Sequence, residues 1–122
     1  MSQQLPPNPK QIYGDKKPPL HLIPSSAIIE EAMALKEGAN KYGPFNWRET
    51  AVEAQTYIGA ALRHLYAYQE GENYDPVSGA HHLGHARACL AILIDAAQVG
   101  KLIDNRPPSG IGGRLIRENT VE

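Results

Sequence analysis

From Ser25 to Gly100 apolar residues recur three or four positions apart, a spacing that predicts helices rather than strands. Ile28, Ala32, Leu35 and Ala39 form one stripe of a first helix, capped by Ser25 or Ser26 and closed by Gly38. Glu31 falls at the edge of that stripe, whereas Glu30 and Glu37 share its wetter opposite side. A second helix presents Ile58, Ala61, Leu62, Leu65 and Gln69 and stops near Gly71. A third runs from Ala80 to Val99 and ends at Gly100. Leu83, Ala86, Leu90, Leu93, Ile94 and Ala97 give it one stripe, and Cys89, Ile92 and Ala96 a second. A helix that is apolar on most of its circumference must be enclosed, and so few helices enclose it poorly. A homodimer or homotetramer is therefore expected to complete the bundle.

The flanks are punctuated differently. Pro6, Pro7, Pro9, Pro18 and Pro19 remove amide donors and fix extended geometry, so residues 1–24 are expected to form an extended arm without regular helix. Pro107, Pro108, Gly110, Gly112 and Gly113 break the chain again, and residues 107–122 read as a loose tail. Residues 25–106 remain as one all-α domain, and no stretch reads as a sheet.

Composition narrows the partners. A chain of 122 residues suits one domain, and 12 Lys+Arg against 13 Asp+Glu leave no basic excess to hold a nucleic-acid backbone. One cysteine excludes an internal disulfide framework and suits a reducing compartment. No apolar run approaches the roughly 20 residues that span a bilayer, and the N-terminus is polar rather than signal-like. The expectation is a cytoplasmic protein without a membrane partner.

Candidate chemistry gathers where the third helix begins, at His81-His82-Leu83-Gly84-His85. His82 and His85, at i and i+3, project to one side and can share a metal or a phosphate; Cys89 continues the line and makes a His/His/Cys zinc site conceivable. Packed, hydrogen-bonded core histidines are the alternative, with Cys89 a small core residue. The preceding turn supplies Glu72 and Asp75, which are either hard oxygen ligands for Mg²⁺ or Mn²⁺ or a solvated turn with Asp75 bonding its own backbone. Arg63 and His64 sit at the border of the second helix, where Arg63 can grip phosphate or lie in solvent. Lys41, Asn46 and Trp47 place a cation, an amide and a stacking surface on one loop, as a nucleotide needs, although Trp47 also suits a packed anchor. There is no His-Asp dipeptide, no GxSxG elbow and no phosphate-binding P-loop.

Several segments in order (KPPLHLIP, GANKYGPFNW, Arg63-His64-Leu65, GENYDPVSG, HHLGHARACLAILIDA and GKLIDNRPP) resemble the phage dATP/dGTP diphosphohydrolases. These are similar to the MazG-type all-α nucleoside triphosphate pyrophosphohydrolases, the MazZ type above all, and the match covers residues 16–108. The resemblance implies hydrolysis of a purine deoxynucleoside triphosphate (dGTP, with dATP or GTP as alternatives) to monophosphate and pyrophosphate with Mg²⁺ or Mn²⁺. It also implies a phage protein in the host cytoplasm that supplies dGMP for DNA carrying 2-aminoadenine. The MazG pattern has EExxE on one helix and ExxD at the start of the next. Aligning Leu83-Gly84 with its Leu-Gly puts His82 and His85 at the ExxD carboxylates and Arg63-His64 near the EExxE positions.

The acidic ligands are therefore sought elsewhere, in Glu31, Glu30 and Asp75, with Glu31 first because a carboxylate at an apolar edge needs a partner. Catalysis is expected from Glu31, Glu30, His82 and His85, and metal binding from these and Asp75. Substrate contacts are expected from Lys41, Asn46, Trp47, Arg63 and His64, with Asp104 and Arg106 closing the site. Two other readings stand beside this one. The first is a non-catalytic helical oligomer built around a structural zinc site or a plain His/His/Cys core. The second is a MazG-like housecleaning hydrolase of damaged nucleotides.

Overall fold

In the computed structural model, which describes residues 5–121, the chain runs through α1 (Pro9–Gly14), a 3-10 turn (Leu20–Leu22), α2 (Ser25–Tyr42), α3 (Asn46–Glu49), β1 (Val52–Glu53), α4 (Ala54–Gln69), α5 (His82–Gln98), β2 (Leu102–Ile103) and α6 (Gly112–Glu118). Both α2 and α4 pack against α5, which is the central helix. A short parallel pairing, Val52 with Leu102 and Glu53 with Ile103, ties the start of α4 to the end of α5. At the other end Tyr74 pairs with His81 and closes the turn between the two helices.

Small side chains set this packing. Among the described residues the buried apolar set is Ala34, Ala54, Ala61, Ala80, Ala86, Ala88 and Ala96 with Trp47. Alanines let helix axes approach closely, and Gly84 brings α2 and α5 together at their tightest point. A Cβ there would overlap the carbonyl group of Glu30. The larger apolar residues lie elsewhere: Ile29, Met33, Leu62, Leu65, Tyr66, Leu90 and Ile94 are all exposed on the single chain. The stripes read from the sequence are therefore rotated. On α2 Ala34 is buried while Ile28 and Ala32 are exposed, and on α4 Ala61 is buried while Leu62, Leu65 and Gln69 are exposed. Periodicity marks the apolar residues, but the closest approach is chosen by size.

The element boundaries bring corrections. Gly38 lies inside α2, which continues to Tyr42 and is closed by Gly43 at φ 88°. Pro24, not a serine, holds the cap position of α2, with no side-chain bond to the helix. Residues 9–14 are helical where an extended arm was expected: Asn8 caps α1 by accepting from the Lys10 amide, and Pro9 occupies its first turn, where a missing donor costs nothing. Residues 112–118 form α6 rather than loose tail. The two-residue strands were not foreseen, being too short to show a period. No helix among the described residues is long and apolar enough to cross a membrane.

Candidate functional site

The α4–α5 connection assembles a compact polar cluster. Gly71, at φ 102°, lets the chain reverse after α4. The Asp75 amide then donates to the Ala80 carbonyl at 2.9 Å, and the His82 amide to the Asn73 carbonyl at 2.9 Å. Within this turn Asp75 Oδ1 accepts from the amides of Val77 (2.8 Å) and Ser78 (3.4 Å), the local bonding expected of an aspartate before Pro76. The same carboxylate faces two imidazoles. One ligand atom each from His64, Asp75 and His82 lie within 4.8 Å of one another, the one such group of three or more among the described residues.

The rings are tightly placed. His64 Nδ1 stands 2.9 Å from His82 Nδ1, and His82 Nε2 stands 2.6 Å from Glu72 Oε1. His85 stacks on His64 with centroids 4.4 Å apart and planes 9° from parallel, while its Nε2 meets Ser78 Oγ at 2.7 Å. His82 is 4% exposed and is the buried polar residue of this core. Burial, and then the neighbouring imidazoles, push His64 below the usual histidine range; burial does the same to His85, against the opposing pull of Asp75 and Glu37. The Val77 amide, followed by that of Ser78, holds the Asp75 carboxyl below its usual value. At neutral pH His64 and Asp75 thus offer a neutral imidazole beside a charged carboxylate, the protonation states that bind cations. Imidazole nitrogens suit Zn²⁺ and similar ions, whereas Mg²⁺ and Mn²⁺ favour oxygen ligands, so two imidazoles with one carboxylate form a mixed set that suits an all-oxygen octahedron poorly.

Beside the cluster, a cleft of about 500 Å³ opens along α2, α3 and α5, walled by Ala34, Gly38, Phe45, Trp47, Tyr57 and Cys89. His85 lines this cleft as well as touching His64, so one side chain joins the two spaces. Trp47 is a fixed wall: 9% exposed, it donates through Nε1 to Asp95 Oδ2 at 2.7 Å. Arg48 grips the same carboxylate at 2.8 and 2.9 Å, and Arg48, then Trp47, hold the Asp95 pKa down to about 2. Phe45 adopts φ 56°, a conformation a bulky residue takes only when its surroundings impose it. Its half-exposed ring lies under the Arg48 guanidinium, 4.8 Å away. Burial raises the pKa of both the Cys89 thiol and the Tyr57 hydroxyl.

A family profile described as dATP/dGTP diphosphohydrolase, N-terminal, matches residues 7–106, most of the chain. The chain belongs to the dATP/dGTP diphosphohydrolase family. It is 32% identical over 97 residues to a protein named dATP/dGTP diphosphohydrolase from Salmonella phage PMBT28, a match covering 80% of this chain and 31% of that protein. The chain therefore spans about a third of the length of the curated relative it matches. No solved structure matches it.

The site residues expected of such a family member are partly brought together. His64, Asp75 and His82 converge, with His85 stacked alongside. His64, expected as a substrate contact, lies instead within 4.8 Å of Asp75 and His82, close enough to share a cation with them. Glu31 lies outside that group, with Oε1 3.3 Å from Arg87 Nε. That nitrogen is buried and not aligned for a hydrogen bond, so the pairing is one of charge. Glu30 is half-buried, with its carbonyl against Gly84, and also lies outside the group. Cys89 faces the cleft rather than joining His82 and His85 around an ion.

Lys41 belongs to α2, not to a loop, and pairs with Glu37 at 2.6 Å in solvent, which raises its pKa. Asn46 and Trp47 line the cleft from α3. The Arg63 guanidinium folds back over Gly59. Asp104 and Arg106 are exposed and bond each other at 2.7 and 2.8 Å, and neither lines the cleft. Sequence reasoning passed over Phe45 and weighed Glu72 only as an oxygen ligand or a solvated turn, not as a partner of His82. For Glu72 the available signal was its place ten residues before His82, across a turn that Gly71 forces to reverse.

Proposed function

We propose that the chain hydrolyses a purine deoxynucleoside triphosphate to the monophosphate and pyrophosphate, with Mn²⁺ or Mg²⁺ held by His64, Asp75 and His82. The observation that carries this reading is the junction at His85, where a polar cluster of cation-ligand type meets an apolar cleft of base size. The base lies against Trp47 and Phe45, with Asn46 at its edge, and the triphosphate extends past His85 toward the cluster. A divalent cation held there would supply charge against the triphosphate and lower the pKa of a bound water. His85, hydrogen-bonded to Ser78, is placed to orient that water or to accept its proton. Lys41 and Arg63 are the cations nearest to hand for the departing pyrophosphate.

The exposed apolar faces of α2, α4 and α5 support completion of the bundle by a second copy or by a tetramer. With dGTP as substrate, the dGMP product would feed the phage 2-aminoadenine pathway. The test is to incubate the purified chain with dGTP, dATP or GTP and Mn²⁺ and to measure pyrophosphate. Release of pyrophosphate by the wild type, lost in His64→Ala and Asp75→Asn, is the expected result. Orthophosphate alone would mean a different phosphatase chemistry, faster turnover of oxidised bases a housecleaning role, and no product a binding module.

A further inference from the structure

The geometry points to Glu72 as a positioning residue that turns His82 into a cation ligand by fixing which ring nitrogen carries the proton. This rests on the reading of His64, Asp75 and His82 as a cation site. Glu72 Oε1 lies 2.6 Å from His82 Nε2 on the side of the ring away from His64. An ionised carboxylate only accepts hydrogen bonds, so this contact requires the proton on Nε2. A neutral ring then presents a lone pair at Nδ1, on the side of the ring where His64 Nδ1 stands 2.9 Å away. In the opposite tautomer Nδ1 would carry hydrogen and could not ligate.

The surroundings make the choice matter. His82 is 4% exposed, so water cannot readily take over from Glu72. The His82 backbone is pinned to the same turn through its amide bond to Asn73, 2.9 Å long, which leaves the ring little freedom to seek another acceptor. Glu72 is itself anchored by its amide, which donates to the Ala67 carbonyl at 3.0 Å and sets the carboxylate at the end of α4. Its side chain is 52% exposed, which is why the residue reads as an ordinary solvated turn in the sequence. A carboxylate behind a ligating imidazole raises the basicity of the ring and orients it, and losing such a partner weakens metal affinity about 10–100-fold.

The experiment compares wild type, Glu72→Ala, Glu72→Gln and His64→Ala. Mn²⁺ affinity is measured by calorimetry, and the His82 tautomer is read from ¹⁵N-histidine NMR of the metal-free proteins. Expected are a wild-type His82 protonated at Nε2, a Glu72→Ala variant weakened about 10–100-fold for Mn²⁺, and recovery of most of that loss in Glu72→Gln, whose amide oxygen still accepts. A wild-type His82 protonated at Nδ1 overturns the proposal. So does unchanged affinity in Glu72→Ala while His64→Ala loses binding, or equal weakening in Glu72→Ala and Glu72→Gln, which would reduce Glu72 to its charge. Wild type that fails to bind Mn²⁺, or His64→Ala that binds normally, overturns the cation site itself. The tautomer measurement needs no metal and tells the two failures apart.

Discussion

A methyl group added at Gly84 tests whether the closest approach of α2 and α5 is what shapes the cleft. The ideal Cβ meets the Glu30 carbonyl oxygen and carbon and the Glu30 Cβ. Two of these are backbone atoms of a helix, so rotamer changes cannot relieve the overlap and the helices must move apart. Overpacking of this kind costs about 1–3 kcal/mol, and contact with rigid backbone places it toward the upper end. Exchange of Gly for Ala in a helix returns at most about 1 kcal/mol, and less in the first turn, where Gly84 lies. The net expectation for Gly84→Ala is a loss of about 2 kcal/mol, or a fall in Tm of about 8 °C for a chain of 122 residues.

Gly38→Ala is the control, since nothing lies within 4 Å of its added Cβ and its helical backbone accepts alanine; its Tm should rise by a few degrees. Thermal unfolding by circular dichroism gives both values. Because His64 and His82 ride on α4 and α5, Gly84→Ala should keep Mn²⁺ affinity while the nucleotide KM rises. A Gly84→Ala protein as stable as wild type would refute the reasoning, because it would mean that α2 and α5 separate at no cost.

Trp47→Phe removes the donor to Asp95 and should lower Tm by several degrees while raising the nucleotide KM more than it changes kcat, because the wall of the cleft loosens; an unchanged KM would place the base elsewhere. The Asp95 carboxyl has a folded-state pKa of about 2 against an ordinary value near 4, so unfolding takes up a proton between them and stability falls as pH drops through that window. Tm measured from pH 5 to pH 2.5 should fall more steeply for wild type than for Asp95→Asn, and parallel curves would show that Arg48 and Trp47 do not hold the charge. Saturating Mn²⁺ should raise the Tm of wild type, by about 2.7 kcal/mol of added stability at a hundredfold excess over Kd, and should leave Asp75→Asn nearly unmoved.

The helices were legible because their apolar period and their glycine and proline punctuation agree. Gly71 and Gly100 follow helices at positive φ, as their positions in the sequence suggest, while Gly43 closes α2 where Gly38 was expected to. Gly38 misled because a glycine inside a helix is indistinguishable from a terminal one until its backbone angles are known. The interior was misjudged for a different reason: leucines and isoleucines dominate any periodic pattern, yet alanines carry the contacts between α2, α4 and α5. In the site, His82, His85 and Asp75 were visible as a local constellation. His64, from another helix, was expected as a substrate contact, and its nearness to Asp75 and His82 does not show in the spacing of either segment. Glu31 looked like the strongest candidate from its edge position, and that reasoning did find a charged neighbour, namely Arg87. Arg87, on the next-but-one long helix, left no mark in the local pattern.

Two imidazoles beside a single carboxylate would have an electrostatic consequence for the proposed site. His64, Asp75 and His82 carry one negative charge between them when both rings are neutral. A single divalent ion would leave these three residues with a net positive charge, offset in part by Glu72 behind His82. At an effective dielectric of about 20, each unit charge pair about 4 Å apart contributes about 4 kcal/mol, so the sign of the site governs whether the triphosphate is drawn in or held off. The nearby cations are paired in the unliganded chain, Lys41 with Glu37, Arg87 with Glu31 and Arg48 with Asp95, so Lys41 would have to leave Glu37 to meet the departing pyrophosphate. In the proposed site a carboxylate set behind the ring, as Glu72 is, would strengthen His82 as a donor from outside the ligand group.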